Sequence, residues 1–263
     1  MIAFNKQLSE ICKSKNNRLC IGLDIDNRKL VNNSISYMDG FIKDIIESTI
    51  DLCPIYKINL AFYERLGKAG YDILCKIPEY INNRAVTIAD AKRGDIGNSS
   101  KYYAEAIFQT LNYNAITISP YMGEDSIKPF CEYSDKGVFI LCLTSNSGSN
   151  NFQNKKINDK ELYIHVAELA VKMNVNDNIG LVVGATKSEQ MKIIKEYSFN
   201  LPWLIPGVGF QGGSLENSIL IGSKNKSTPI INVSRGIIYA GNGSINDIII
   251  ATEEYTKKIR SIL

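Results

Sequence analysis

The sequence predicts an α/β fold, a single (β/α)8 barrel of the TIM-barrel type, and two observations favour it. Short β-branched runs recur along the whole chain, and each is followed by a longer stretch with helical periodicity. The chain has 263 residues, a length typical of eight such units. We therefore expect one barrel domain over residues 1–263.

The predicted strands, in chain order, are residues 18–25, 55–60, 85–91, 114–120, 137–143, 179–185, 203–208 and 229–234. Helical periodicity between them is clear at 38–53, 62–77, 98–111, 161–173 and 187–198. A doubly wound sheet is the alternative. Such a sheet ordinarily carries G-x-G-x-x-G after its first strand, whereas this chain reads LDIDNRKL there.

The composition excludes several functional classes. With 44% hydrophobic and 22% charged residues, the chain has a composition typical of globular proteins. The net charge of +3 is spread without a long single-sign block, so we expect no nucleic-acid partner. No apolar run approaches the ~20 residues of a membrane span, and the N-terminus lacks a signal-peptide pattern. We expect no membrane partner and a cytoplasmic location.

The cysteine and histidine pattern predicts no metal site. The six cysteines include no C-x-x-C pair, and the chain has one histidine. In a reducing compartment, we expect these thiols to be small hydrophobic core residues.

Charged side chains collect where the predicted strands end, which is the face where barrels place their chemistry. These residues are Asp24 at the end of strand one, Lys57 in strand two, and Asp90, Lys92 and Asp95 around the end of strand three. Asp90 and Lys92 are two residues apart, so both side chains face the barrel interior. Because unpaired buried charges are unfavourable, we expect each ammonium to lie beside a carboxylate. A purely structural salt-bridge cluster is the alternative.

Two glycine-rich segments near the end of the chain predict a phosphate site. PGVGFQGG, residues 206–213, follows the seventh strand, and NVSRGIIYAGNG, residues 232–243, follows the eighth. Barrels commonly bind phosphate there on backbone amides. The Arg235 guanidinium can donate two hydrogen bonds to phosphate oxygens, and the Gln211 side-chain amide can donate another.

The longest predicted stretch without a strand runs from Thr144 to about Asp159. It follows the fifth strand, and loops of this length are usually functional or mobile. We expect a lid that closes over the site. A passive, Asn-rich surface loop is the alternative.

The segment DAKRGDIG, residues 90–97, resembles the D-x-K-x-x-D-I motif of the orotidine 5′-monophosphate decarboxylases. Further segments agree in order: LDID, YKINLAFYE, SPYMGEDSIKPF, LTSNSGS, PGVGFQGG and NVSRGI. The resemblance spans residues 18–240 and is to the longer bacterial subfamily. One stretch departs, because that subfamily usually has a proline and a glutamine after the strand-two lysine, whereas this chain reads KINLAFYE, with Asn59 in the polar position.

This resemblance implies a carboxy-lyase without cofactor or metal, which converts orotidine 5′-monophosphate into UMP and CO2 in de novo pyrimidine biosynthesis. The implied catalytic residues are Lys57, Asp90, Lys92 and Asp95. Lys92 would stabilise the carbanion and donate the proton to C6. Asp95 and Ile96 would reach the partner's site in a homodimer.

The resemblance also implies substrate contacts in each part of the site. They are Asp24 and Lys57 at the ribose, Ser99 or Ser100 at the neighbouring ribose, Ser145 at the pyrimidine, and Gln211 and Arg235 at the phosphate, with Asn59, Thr144, Pro206, Gly207, Gly209, Gly212 and Ser234 as further contacts.

Two other functions remain open from the sequence. A magnesium-dependent sugar-phosphate decarboxylase or aldolase of the same barrel group shares the D-x-K-x-x-D pattern. Those enzymes carry a carboxylate at the end of strand two, where this chain has Lys57. A non-catalytic nucleotide-binding barrel is the second alternative, and the complete charged array argues against it.

Overall fold

The computed structural model describes residues 2–209 and 212–263. In those ranges, eight parallel strands close into a barrel in chain order. They are β1 Leu19–Gly22, β2 Ile55–Asn59, β3 Val86–Arg93, β4 Ala115–Ile118, β5 Gly137–Leu143, β6 Ile179–Val183, β7 Trp203–Pro206 and β8 Pro229–Val233. Each pairs with the next, and β8 pairs with β1. The predicted (β/α)8 barrel is confirmed.

The helices surround the barrel and close one of its ends. They are α1 Phe4–Ser14, α2 Ile35–Thr49, α3 Ala61–Glu64, α4 Lys68–Ile81, α5 Gly97–Glu105, α6 Glu124–Cys131, α7 Leu162–Met173, α8 Ser188–Ser198, α9 Leu215–Gly222, α10 Arg235–Ile238 and α11 Ile245–Arg260. The helix predicted at 62–77 is interrupted at residues 65–67, and Gly67, with a positive φ of 60°, immediately precedes α4.

An apolar layer fills the barrel at the end covered by α1. Phe4, Leu8 and Cys12 of α1 form one cluster with residues from every barrel strand. The strand members are Cys20, Ile55, Val86, Ile88, Ala115, Phe139, Val182, Leu204 and Ile230. Gly137 is required at the start of β5, because a Cβ there would lie 2.2 Å from the Phe4 ring.

The interior side chains become polar toward the carboxyl ends of the strands. On β2 the inward positions run from Ile55 to Lys57 and Asn59, and on β3 from Ile88 to Asp90. This two-residue alternation follows from strand geometry. It places the polar groups at the end opposite α1.

The segment after β5 is more ordered than the sequence predicted. Lys156–Ile157 pairs with Lys160–Glu161 in an antiparallel ribbon, so the prediction of a strandless stretch to Asp159 was wrong. Asn158 and Asp159 both have positive φ, which suits the tight turn of a hairpin. The role of this segment as a lid stays a prediction.

The cysteines and helices bear on two further predictions. Five cysteines are buried as expected, but Cys75 is exposed on α4, so the prediction of a core thiol there was wrong. Its position lies on the solvent-facing side of an amphipathic helix. Among the described residues, no helix has the length and apolarity to span a membrane.

Lys195 on α8 is a buried cation outside the barrel mouth. It is 2% exposed, and its Nζ has no hydrogen-bond partner among the described residues. The Nζ lies 4.7 Å from the ring centroid of Trp203, the single tryptophan of the sequence. Burial lowers the pKa of Lys195 from 10.5 to about 7, since the ring replaces only part of the lost hydration.

This low pKa predicts a pH-dependent stability. Between pH 7 and 10.5 the unfolded chain binds the Lys195 proton and the folded chain does not, so this residue makes stability rise with pH. We expect Lys195→Met to raise the melting temperature at pH 7 by about 3 °C or more. Melting curves at pH 7 and pH 9 measure the effect, which shrinks at the higher pH.

Lys192→Met is the matched control, because Lys192 lies on the same helix with an exposed side chain. We expect it to leave the melting temperature and its pH dependence unchanged. A Lys195→Met protein with the pH dependence of the wild type would contradict the assigned pKa.

Candidate active site

Four charged side chains form a row across the carboxyl end of the barrel. Lys57 Nζ lies 3.4 Å from Asp24 Oδ1 and 3.0 Å from Asp90 Oδ2. The other oxygen of Asp90, Oδ1, accepts a hydrogen bond from Lys92 Nζ at 2.6 Å. The structure therefore brings these four predicted residues together as alternating carboxylates and ammoniums.

The pairing keeps the buried members of this charged row ionised. Burial alone would lower the pKa of Lys57, but Asp24 and Asp90 raise it above its ordinary value. Burial opposes ionisation of Asp90, yet Lys57 and Lys92 hold its pKa well below the usual range. Lys57 is 4% exposed, whereas the Lys92 side chain is 47% exposed. The row thus presents Lys92 as its accessible cation.

Asp95 lies outside this row within one chain. Its Oδ1 accepts a hydrogen bond from the Ile96 backbone at 2.7 Å, and none of the contacts described for residues 2–209 and 212–263 joins Asp95 to a lysine. Ile96 is 60% exposed. The two serines predicted nearby differ, because Ser99 is exposed while the buried Ser100 Oγ donates to Ser126 O at 2.6 Å.

The polar residues after β2 and β5 line the middle of the cavity. Asn59 donates its backbone N–H to Asp24 Oδ1 at 3.3 Å, and its own Oδ1 accepts from Ala61 N at the start of α3. Thr144 donates its backbone N–H to Gln153 Oε1 at 2.8 Å. Ser145 also lines the cavity. Asn59 therefore contacts the segment after β1 through its backbone and the start of α3 through its side chain.

A glycine-rich turn follows β7. Pro206 is the last residue of that strand, and the φ angles of Gly207, Gly209 and Gly212 are 94°, 75° and 84°. Glycine adopts such angles without a steric penalty, so the backbone curves back on itself here. The phosphate contact predicted for Gln211 lies outside the described residues.

The end of β8 adds a cation and a hydroxyl beside this turn. Arg235 begins α10 immediately after Ser234. The Ser234 Oγ is buried and has no hydrogen-bond partner within the described ranges. Gly22 on β1 makes room for it, because a Cβ at that position would lie 2.8 Å from the Ser234 Cβ.

One cavity of about 660 Å³ joins the charged row to the glycine-rich turn. Its lining includes Asp24, Lys57, Asp90 and Lys92 at one end and Gly207, Ser234 and Arg235 at the other. A substrate that fills it can therefore contact the ammonium row and Arg235 at the same time.

Several residues of this cavity were not named as individual contacts in the sequence prediction. Asn232 lies two residues before Ser234 on β8, so listing every inward position of each strand would have found it. Tyr239 follows α10 and Tyr255 lies in α11, so neither residue stands at a strand end. The Tyr239 hydroxyl accepts a hydrogen bond from Asp26 N at 2.8 Å, which attaches α10 to the segment after β1.

Comparison with known proteins identifies the family of this chain. The family model described as "Orotidine 5'-phosphate decarboxylase / HUMPS family" matches residues 17–244. The chain is similar to the orotidine 5′-phosphate decarboxylase of Dehalococcoides mccartyi, with 49% identity over 92% of this chain and 90% of that protein. It is also similar to the enzyme of the same name from Christiangramia forsetii, with 44% sequence identity over 91% of this chain and 90% of that protein.

The fold agrees with the sequence comparison. The solved structure of Leishmania donovani OMP decarboxylase is similar to this chain with a TM-score of 0.89 and 38% identity, over 99% of both chains. The matched residues include both ends of the cavity, from Asp24 to Arg235. This chain therefore belongs to the orotidine 5′-phosphate decarboxylase family.

Proposed function

We propose that this chain converts orotidine 5′-monophosphate into uridine 5′-monophosphate and CO2. The observation that carries the proposal is the single cavity with an ammonium–carboxylate row at one end and Arg235 at the other. A nucleotide whose reactive base is remote from its phosphate matches this arrangement. The names of the related enzymes support the same reaction.

The two ends of the nucleotide meet different groups in this proposal. Arg235 and the backbone of the glycine-rich turn bind the phosphate. Asp24 and Lys57 bind the ribose hydroxyls, and Ser145 hydrogen-bonds to the edge of the pyrimidine ring. Binding energy from the phosphate then holds the base against the charged row, although the phosphate takes no part in the chemistry.

The chemistry requires stabilisation of a localised negative charge. When the bond between C6 and the carboxylate breaks, CO2 leaves and the electron pair stays on C6, with no adjacent electron sink. The Lys92 ammonium faces that charge and donates a proton to C6, which forms UMP and leaves a neutral amine that regains its proton from solvent. Because Asp90 fixes this ammonium beforehand, little reorganisation is needed during the reaction.

Lys57 disfavours the magnesium-dependent alternative. Magnesium sites are built from oxygen ligands, several of them carboxylates. Here the end of β2 carries an ammonium that already lies between the carboxylates of Asp24 and Asp90. A divalent cation placed among these groups would face the charge of Lys57.

A homodimer is part of the proposal, with Asp95 and Ile96 entering the site of the partner subunit. Exposed apolar side chains follow the neighbouring strands β3, β4 and β5: Ile96, Tyr102, Tyr121, Met122 and Phe152. Exposed apolar side chains that form a patch are typical of a surface that binds another protein. A second copy covering it would bring Asp95 toward a charged row that it does not join in its own chain.

We further propose that residues 1–263 act as one domain in the cytoplasm. All six thiols are free, which suits a reducing compartment. One barrel contains both ends of the proposed site.

Removing the Lys92 ammonium tests the proposed reaction. We expect wild-type protein to consume orotidine 5′-monophosphate at the same rate with and without EDTA, and Lys92→Ala to lower kcat by about 1000-fold or more. The decrease in ultraviolet absorbance of the substrate measures both rates. Folding of each protein is checked by circular dichroism.

Lys68→Ala is the control, because Lys68 is a lysine whose side chain is 88% exposed on α4. It is expected to keep wild-type activity. A folded wild type that consumes no substrate would reject the proposal, and activity restored by magnesium after EDTA treatment would favour the sugar-phosphate alternative.

Mixed dimers test whether Asp95 acts across the interface. We expect Lys92→Ala and Asp95→Ala homodimers to be nearly inactive, because each site lacks one group. In a mixed dimer, one site combines the intact Lys92 of one chain with the intact Asp95 of the other. Mixed dimers isolated with two affinity tags should therefore regain about half of the wild-type activity.

A pair of Lys92→Ala and Arg235→Ala chains provides the control, since both groups belong to the same barrel and no site becomes intact. Absence of recovered activity in the Lys92→Ala and Asp95→Ala mixed dimer would show that Asp95 does not serve the partner's site.

A further inference from the structure

Thr117 on β4 contacts the backbone of Lys92 directly and its ammonium indirectly, through Asp90. Its Oγ1 accepts a hydrogen bond from the Lys92 backbone N–H at 3.1 Å and donates one to Asp90 Oδ1 at 2.8 Å. The same Asp90 oxygen accepts from Lys92 Nζ at 2.6 Å. One hydroxyl thus bonds the backbone of Lys92 and also the carboxylate that holds its ammonium.

The backbone around Lys92 departs from a regular strand. Ala89 pairs with Ile116 on β4, and Arg93 pairs with Ile118. Residues 90–92 of β3 therefore lie opposite the single residue Thr117 of β4. The residues in between bulge out of the β3–β4 ladder. Lys92 itself has a φ of 48°, which L-residues adopt infrequently. Its N–H bonds the Thr117 side chain at the point where regular pairing is interrupted.

Thr117 is placed to act through its neighbours. It is 1% exposed, and the described lining of the cavity includes Asp90 and Lys92 without Thr117. A substrate in the cavity therefore touches Lys92 and does not touch Thr117. The hydroxyl is satisfied in both directions, since it donates once and accepts once.

We infer that Thr117 is a positioning residue for decarboxylation, a role that rests on the proposed function. Its hydroxyl fixes the bulge at the end of β3 and orients Asp90, so that the Lys92 ammonium points at the reacting carbon before substrate binds. Loss of the hydroxyl leaves the phosphate and ribose contacts in place but frees the ammonium to move.

Thr117→Val removes the hydroxyl with little change of shape. We expect kcat to fall between about 10-fold and about 100-fold, the range for losing hydrogen bonds to a charged group. The KM for orotidine 5′-monophosphate should stay within about twofold, because substrate binding depends on other residues. Thr117→Ser keeps the donor and acceptor and should recover most of the wild-type kcat.

Thr87→Val is the matched control for losing a buried threonine hydroxyl. Thr87 is 2% exposed on β3, and its Oγ1 donates to Asn114 Oδ1 at 2.9 Å, away from the cavity. We expect it to keep the wild-type kcat even where it lowers the melting temperature. A Thr117→Val protein with wild-type kcat, or a Thr117→Ser protein as impaired as Thr117→Val, would overturn the inference.

Amide hydrogen exchange at Lys92 tests the contact without any turnover. We expect the Lys92 amide to be protected in wild type and in Thr117→Ser, and to exchange at least about tenfold faster in Thr117→Val. A wild type that consumes no substrate overturns the proposed function. Equal protection in wild type and Thr117→Val overturns the positioning role, so the two failures are distinguishable.

Discussion

Lys57 lies between the carboxylates of Asp24 and Asp90, and the polar end of the barrel depends on this contact. Without the ammonium, two largely buried carboxylates would face each other, and Asp90 would bind a proton or turn away. Asp90 also holds the Lys92 ammonium. The charge of Lys57, together with that of Lys92, therefore keeps Asp90 ionised, and the ionised Asp90 holds Lys92 in position.

The barrel keeps this charged row apart from its apolar layer. Helix α1 covers one end and packs Phe4 and Leu8 against residues of all the strands. On β2 and β3, the inward positions two residues after Ile55 and Ile88 of this layer hold Lys57 and Asp90. Charged groups are tolerated there because each has a partner and the cavity admits solvent until substrate enters. Arg235 lines the far end of the same cavity, where the proposed function places the substrate phosphate.

Features set by local periodicity were predictable from the sequence, and features set by contacts between distant segments were not. The strands and the meeting of Lys57 with Asp90 follow from two-residue alternation and from the strand ends. The extension of β3 to Arg93, beyond the predicted 85–91, depends on a bulge that faces Thr117. The burial of Ser100 depends on its contact with α6. The proposed contact of Asp95 with the site of a partner subunit involves a second chain, which periodicity within one sequence does not reveal.

In the proposed reaction, the Lys92 ammonium, which Asp90 holds, stabilises negative charge at C6 and exchanges a proton with it. Incubation of UMP with the protein in D2O tests this step without decarboxylation, because the same carbanion forms when C6 loses its proton. Proton NMR should show loss of the C6–H signal with wild type and none above background with Lys92→Ala. Equal exchange by the two proteins would contradict this role of the Lys92 ammonium.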